Sequence, residues 1–175
     1  MIWNIAHTGI LVVLVICVGM MAFGWLDQDG NGHASRIPGG GSILIAADDS
    51  PTESKMVADY LCAGAADEIE IQNALNAFGS AGGTVTLARG TFYLSGDLEI
   101  PGSVIFQGGG PDVTRLEWSS GIMRCREVQD ILLRDFTTTG TGAVFIQNCD
   151  RVKVHNVTAT VDNSRWGGAF TLWVS

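Results

Sequence analysis

MRCREVQDILLRDF (residues 123–136) and VFIQNCDRVKVHNV (residues 144–157) carry one apolar pattern twice, 21 positions apart. Met123, Cys125, Val128, Ile131, Leu133 and Phe136 fall over Val144, Ile146, Cys149, Val152, Val154 and Val157, with mostly charged, polar or small residues between them. Apolar residues spaced by two share one side of a strand, and this alternation argues against a helical repeat. Further out, the pairs Val85/Leu87, Val104/Phe106, Ile131/Leu133 and Val152/Val154 recur at offsets of 19, 27 and 21. Short strands repeating at a period near twenty mark a solenoid, in which each coil buries its apolar side on the next. The pattern predicts a mainly β chain, a right-handed parallel β-helix with three short strands per coil. A β-sandwich also uses short alternating strands, but it does not require two long stretches to match in register.

The chain has 175 residues and a net charge of −8, enough length for one ordinary domain. Its acidity excludes a general nucleic-acid role, because phosphate binding wants a basic surface. Twenty-three glycines against four prolines suit many tight turns. No zinc, P-loop or dinucleotide motif is present.

No acid, lysine or arginine occurs from Met1 to Leu26, and Ile10 to Leu26 is almost wholly apolar. As a helix that stretch spans roughly 25 Å, close to the hydrocarbon core of about 30 Å. Residues 1–26 are therefore expected to be a single hydrophobic helix contacting the membrane through residues 10–26, as an anchor or a signal peptide. A signal peptide would normally carry a basic start, which is missing here. Either reading exports the rest, to a single-pass position with an extracellular domain or to the medium.

Residues 27–41 read as a flexible glycine-rich linker. Its opening, Asp27 to Gly32, matches the first half of a calcium loop, but Pro38 stands where the twelfth-position acid belongs. The β-helix domain is placed at 42–175, with Ser42 to Ala47 as its first strand. A helix is expected from Asp67, with Asp67 and Glu70 at capping-box spacing. Ile71, Ala74, Leu75 and Phe78 form its apolar stripe, and Gly79 stops it. Such a helix would cover the open first coil, as solenoids require. The last residues, Ala169 to Ser175, begin another coil, so the domain is expected to be C-terminally incomplete or to pair its end in a homo-oligomer. No disulfide is expected: Cys17 sits in the apolar segment, and Cys125 and Cys149 occupy separate inward rows.

The stretches Ala58 to Gly64, Asp67 to Leu75, Gly82 to Leu87, Gly90 to Tyr93, Gly108 to Pro111 and Thr114 to Leu116 resemble the N-terminal part of pectate-lyase-superfamily proteins. The resemblance covers roughly Ile43 to Trp118. It implies a right-handed parallel β-helix that binds or processes extracellular polysaccharide. If the chain is an enzyme, the resemblance implies a polysaccharide lyase or glycoside hydrolase, with calcium held by aspartates in the lyase case. A non-catalytic adhesion or spacer module, of viral derivation, is the alternative. These motifs mark the first coils, and fold alone does not carry chemistry.

Catalytic residues are not assigned from the sequence, and no metal ligands are. For substrate, Arg134, Lys153 and His155 form a basic stripe on one outward face that would grip an acidic polysaccharide. The insertion Asp162 to Gly168 adds Asp162, Arg165 and Trp166, a stacking ring beside polar groups, and insertions in solenoids cluster on the binding side. The bland readings are a solvated face with weak cross-strand pairs and a tryptophan covering a loop. Asp135 and Asn156 read as a turn ladder, which leaves the sequon at Asn156 badly placed for a glycan. Trp118 reads as packing.

Overall fold

The computed structural model describes residues 40–141, 144–161 and 170–173, with side chains through Thr160. Strand β1 (Ser42–Ala46), helix α1 (Thr52–Val57), strand β2 (Tyr60–Leu61) and helix α2 (Glu68–Ala77) form the N-terminal end. The first coil is β3 (Gly83–Leu87), β4 (Gly90–Leu94) and β5 (Leu98–Glu99). The second is β6 (Val104–Gln107), β7 (Thr114–Trp118) and β8 (Met123–Arg126). β9 (Gln129–Gly140) and β10 (Val144–Gln147) make the third, and β11 (Asp150–Val161) and β12 (Phe170–Trp173) the fourth.

All pairing is parallel, and it defines three faces of a solenoid of about four turns. The first face runs β2–β1–β3–β6 and on into the leading halves of β9 and β11. The second runs β4–β7 into their trailing halves. The third runs β5–β8–β10–β12. The inward rows are the ones the alternation predicts: Ile43, Val85, Phe106, Leu133 and Val154 lie in one register line. Phe106 and Phe136 meet edge to face at 5.7 Å in the core. Trp118 is buried, as its strand position implies, and its indole N–H donates to Thr138 Oγ1 at 2.9 Å in the next coil.

The register of the first two coils corrects the sequence reading. Val85 pairs with Phe106, not Val104, so the offset there is 21 rather than 19. A two-residue slip keeps every side chain on its own face, so hydropathy cannot detect it. The corner preceding this face sets the register instead. Gly82, Ser103, Asp130 and Arg151 stack there, all with φ between +54° and +72°. Three carry side chains, so positive φ alone does not demand glycine at 82; a Cβ there would lie 2.1 Å from the Ser103 carbonyl oxygen.

β9 and β11 pass from the first face to the second without a loop. Each bends at one left-handed residue, Asp135 (φ 61°) and Asn156 (φ 51°). Asn156 Nδ2 donates to Asp135 Oδ1 at 2.8 Å, the expected turn ladder. In the second coil the same corner holds Gly108 to Val113. The offset between second and third coils falls from 27 on the first face to 22 on the second, so this corner carries five extra residues.

The helix expected from Asp67 is present as α2, and Ile71, Ala74 and Leu75 are fully buried against the first coil. The capping box is not made: Asp67 forms no side-chain cap bond. Its carboxylate accepts from Gly64 N (3.0 Å) and Tyr93 N (2.8 Å) instead. Glu68 accepts from Ser95 N, Gln72 from Glu99 N and Asp49 from Thr91 N. These N–H groups lie along the edge of the first coil, where among the described residues no earlier strand pairs with β4 or β5. Unpaired edge donors take up the side chains of the N-terminal segment, and this tertiary pairing replaces local capping. The short helix α1 has no buried residue, and its sequence carries no apolar stripe.

Cys62, Cys125 and Cys149 are free thiols. The segments 1–26 and 27–39 lie outside the described residues, as do Cys17 and 162–169. No helix among the described residues is long and apolar enough to cross a membrane.

Candidate functional site

The first face carries two rows that alternate with the core rows, Thr84–Ile105–Leu132–Lys153 and Thr86–Gln107–Arg134–His155, each in strict register across four strands, with Ile105 buried and the others at least partly exposed. Neighbours in a row stand about 4.8 Å apart. Gln107 Nε2 donates to Thr86 Oγ1 at 3.0 Å, so the polar row is linked from coil to coil. Arg134 and His155 are brought side by side as expected, with Lys153 two positions before His155.

The stripe is less basic than its composition. Arg134 Nε lies 2.9 Å from Asp135 Oδ2, close enough for an ion pair but out of line for a hydrogen bond. Arg151 Nε and Nη2 grip Asp130 at 2.6 and 2.8 Å. That fork holds the Asp130 carboxyl below its usual range and raises Arg151. Lys153 and His155 are exposed, and no ion pair among the described residues includes them. Asp162, Arg165 and Trp166 lie outside the described residues.

On the third face Arg124 binds Asp97 Oδ2 at 3.0 Å and also Glu99. The Glu99 bond is the main reason its pKa is raised.

The second face holds two open clefts that the sequence reading missed. One, of about 430 Å³, is lined by Asp49, Arg89, Thr91, Asp112 and Arg115 among others. The other, of about 420 Å³, includes Tyr93, Glu117 and Trp118. The jump of the repeat offset to 27 was the signal available for the first cleft. It marks the corner loop that supplies Asp112 and Val113 to the wall.

Calcium, which the family resemblance implies, does not fit the described donors. It takes six to eight oxygens, and the outward aspartates 97 and 130 are held by arginines. Among the described residues, the one group of three donors within reach of each other is Cys62, Asp67 and Glu70. Burial, helped by Asp67 and Glu70, pushes the Cys62 thiol up to about 12, so it stays protonated. Asp67 has both oxygens engaged by backbone N–H groups, and burial raises its carboxyl above the ordinary value. This cluster ties the N-terminal end together.

No protein family, curated protein or solved structure matches this chain.

Proposed function

We propose that this chain is an exported right-handed β-helix of the pectate-lyase-like kind, with α2 as its N-terminal cap, that binds an extracellular polysaccharide along its flank. Residues 10–26 would hold it at a membrane as a single-pass anchor, or be removed on secretion. The observation that carries this reading is the in-register polar row Thr86–Gln107–Arg134–His155 beside the mixed row Thr84–Ile105–Leu132–Lys153. A surface whose side chains stand at one regular spacing from coil to coil suits a ligand that is itself a repeating linear chain. Hydrogen-bonding groups beside apolar ones match the two sides of a sugar ring.

Binding without chemistry is the second reading, a surface adhesion or spacer module. It is favoured by the engagement of Asp97, Glu99, Asp130 and Asp135 with arginines. A general acid needs a raised pKa in contact with solvent, and Asp130 is shifted the other way.

Retention of the full chain on immobilised polygalacturonate, alginate and neutral glucan tests the proposal. Wild type is expected to be retained on at least one, and Lys153→Gln with His155→Gln to elute earlier. Passage of wild type through all three refutes polysaccharide binding. Ultraviolet absorbance from unsaturated products in the same mixtures would refute the non-catalytic reading.

A further inference from the structure

Arg115 and Glu117 lie two residues apart on the same outward side of β7, a step of about 6.6 Å. The neighbouring strand sets Thr91 beside Arg115 and Tyr93 beside Glu117. The two charges do not close on each other. Among the described residues, no ion pair includes Arg89, Arg115 or Glu117. Arg115 lines the first cleft of this face together with Arg89, and Glu117 lines the second together with Tyr93. Unpaired groups of opposite sign therefore face solvent in two neighbouring clefts.

We propose that the two clefts together bind a small zwitterion, a quaternary ammonium carboxylate. Its anionic end lies at Arg89 and Arg115 and its cationic end at Glu117 and Tyr93. Two guanidinium groups present forked donors to a carboxylate. At the other end Tyr93 is 45% exposed, and an aromatic face attracts a cation. Glu117 supplies the balancing charge, and Ala65 and Ala66 add methyl groups to the wall. A methylated ammonium brings no N–H to such a wall, whereas a primary ammonium would give up hydrogen bonds to water. Asp49 and Asp112 stand in the arginine cleft and weigh against a dianion such as a phosphate monoester. A lone carboxylate or a lone cation would leave one cleft without its counter-charge.

Both clefts are held from behind. Asp67 N donates to Tyr93 O at 2.9 Å, and Tyr93 N donates to Asp67 Oδ2 at 2.8 Å. Gly64 N donates to the other oxygen of the same carboxylate at 3.0 Å, tying down the loop that carries Ala65 and Ala66. In the arginine cleft, Ser50 Oγ donates to Arg89 O at 2.8 Å. Asp49 Oδ1 accepts from Thr91 N at 2.7 Å, and a Cβ at Gly90 would lie 2.6 Å from that oxygen. Backbone that is already fixed loses little freedom on binding. The site is on the second face, apart from the polar row of the first, so it stands or falls independently of the polysaccharide reading.

The test is titration calorimetry of the full chain with γ-trimethylammonio-butyrate, with butyrate and with butyltrimethylammonium. The zwitterion is expected to bind, and each half-ligand to bind about ten-fold more weakly or worse. Arg115→Gln should erase the preference for the zwitterion over butyltrimethylammonium. Glu117→Gln should erase the preference over butyrate. This crossed pattern is one that general damage to the fold would not produce. Tyr93→Ala should weaken the zwitterion about ten-fold, and Tyr93→Phe, which keeps the ring, should restore it. Lys153→Gln, an exposed cation on the first face, should leave binding unchanged. Absence of zwitterion binding overturns the proposal, as does butyrate binding as tightly as the zwitterion. Unchanged affinity in both Arg115→Gln and Glu117→Gln overturns it as well.

Discussion

Replacing Thr138 by Val and Trp118 by Phe, singly and together, tests the stacking of the second coil on the third. Both side chains are almost completely buried, and the Trp118 Nε1–Thr138 Oγ1 bond of 2.9 Å spans 20 residues of sequence. Thr138→Val keeps the shape but leaves the indole N–H unsatisfied in the core, at a cost of about 1–3 kcal/mol. Trp118→Phe loses packing and strands the Thr138 hydroxyl at a similar cost. The double variant keeps the packing loss but has neither orphan. It should therefore be less destabilised than the sum of the singles by about 1–3 kcal/mol. Urea unfolding followed by far-ultraviolet circular dichroism measures all four corners of the cycle. Additivity within about 0.5 kcal/mol would mean that the two groups do not meet, and the register of these coils would be wrong.

Asp67 should impose a pH dependence of known sign. Burial raises its folded pKa, so its favourable contribution is fully present below the unfolded pKa and is lost as pH rises through the folded one. As pH rises out of the ordinary carboxylate range and through the raised folded value, wild type should lose stability relative to Asp67→Asn, and parallel urea profiles would contradict this. In native alkylation read by mass spectrometry, Cys149 should react before Cys62 and Cys125. The latter two are buried thiols with raised pKa, and equal rates would contradict their placement. Gly79→Ala and Gly82→Ala both force a side chain into positive φ, worth about 1–2 kcal/mol. Only at Gly82 does the new Cβ also strike a carbonyl, whereas at Gly79 nothing lies within 4 Å. Gly82→Ala should thus be clearly the more damaging in urea midpoints, and equal effects would refute the corner stacking.

The solenoid was legible because inward residues alternate and repeat, and the register of Met123 to Phe136 on Val144 to Val157 is the one read from sequence. The first two coils were read two residues out of register, since Val85 is equally apolar opposite Val104 or Phe106. What decides between them is a column of left-handed corner residues, invisible to hydropathy. Asp67 was read as a local cap because its spacing to Glu70 fits one. Its actual partner, Tyr93 N, is defined only once the first coil has an edge. At the candidate site, Arg134 and His155 were correctly placed side by side, but the pairing of Arg134 with Asp135 follows from the bend at Asp135. Arg89 carried no motif, and Arg115 only the variable place of the Thr114 to Leu116 motif. They line one cleft because β4 pairs with β7, and the corner loop beside them left two traces in the sequence, the irregular offset of 27 and the Gly108 to Pro111 motif.

The single-residue bends at Asp135 and Asn156 also act as a reading frame. A paired strand is written in units of two, one residue in and one out. β9 and β11 cross from face to face with no spare residue between their units. An insertion or deletion of one residue there would turn the following half-strand inside out, moving Phe136 and Thr138, or Val157 and Ala159, off the inner side. The Gly108 to Val113 corner is different, because it already carries five residues more than the bend at Asp135 and still returns Thr114 to the frame. New side chains can therefore enter this flank by insertion beside Arg89 and Arg115, whereas the bends at Asp135 and Asn156 admit only substitution.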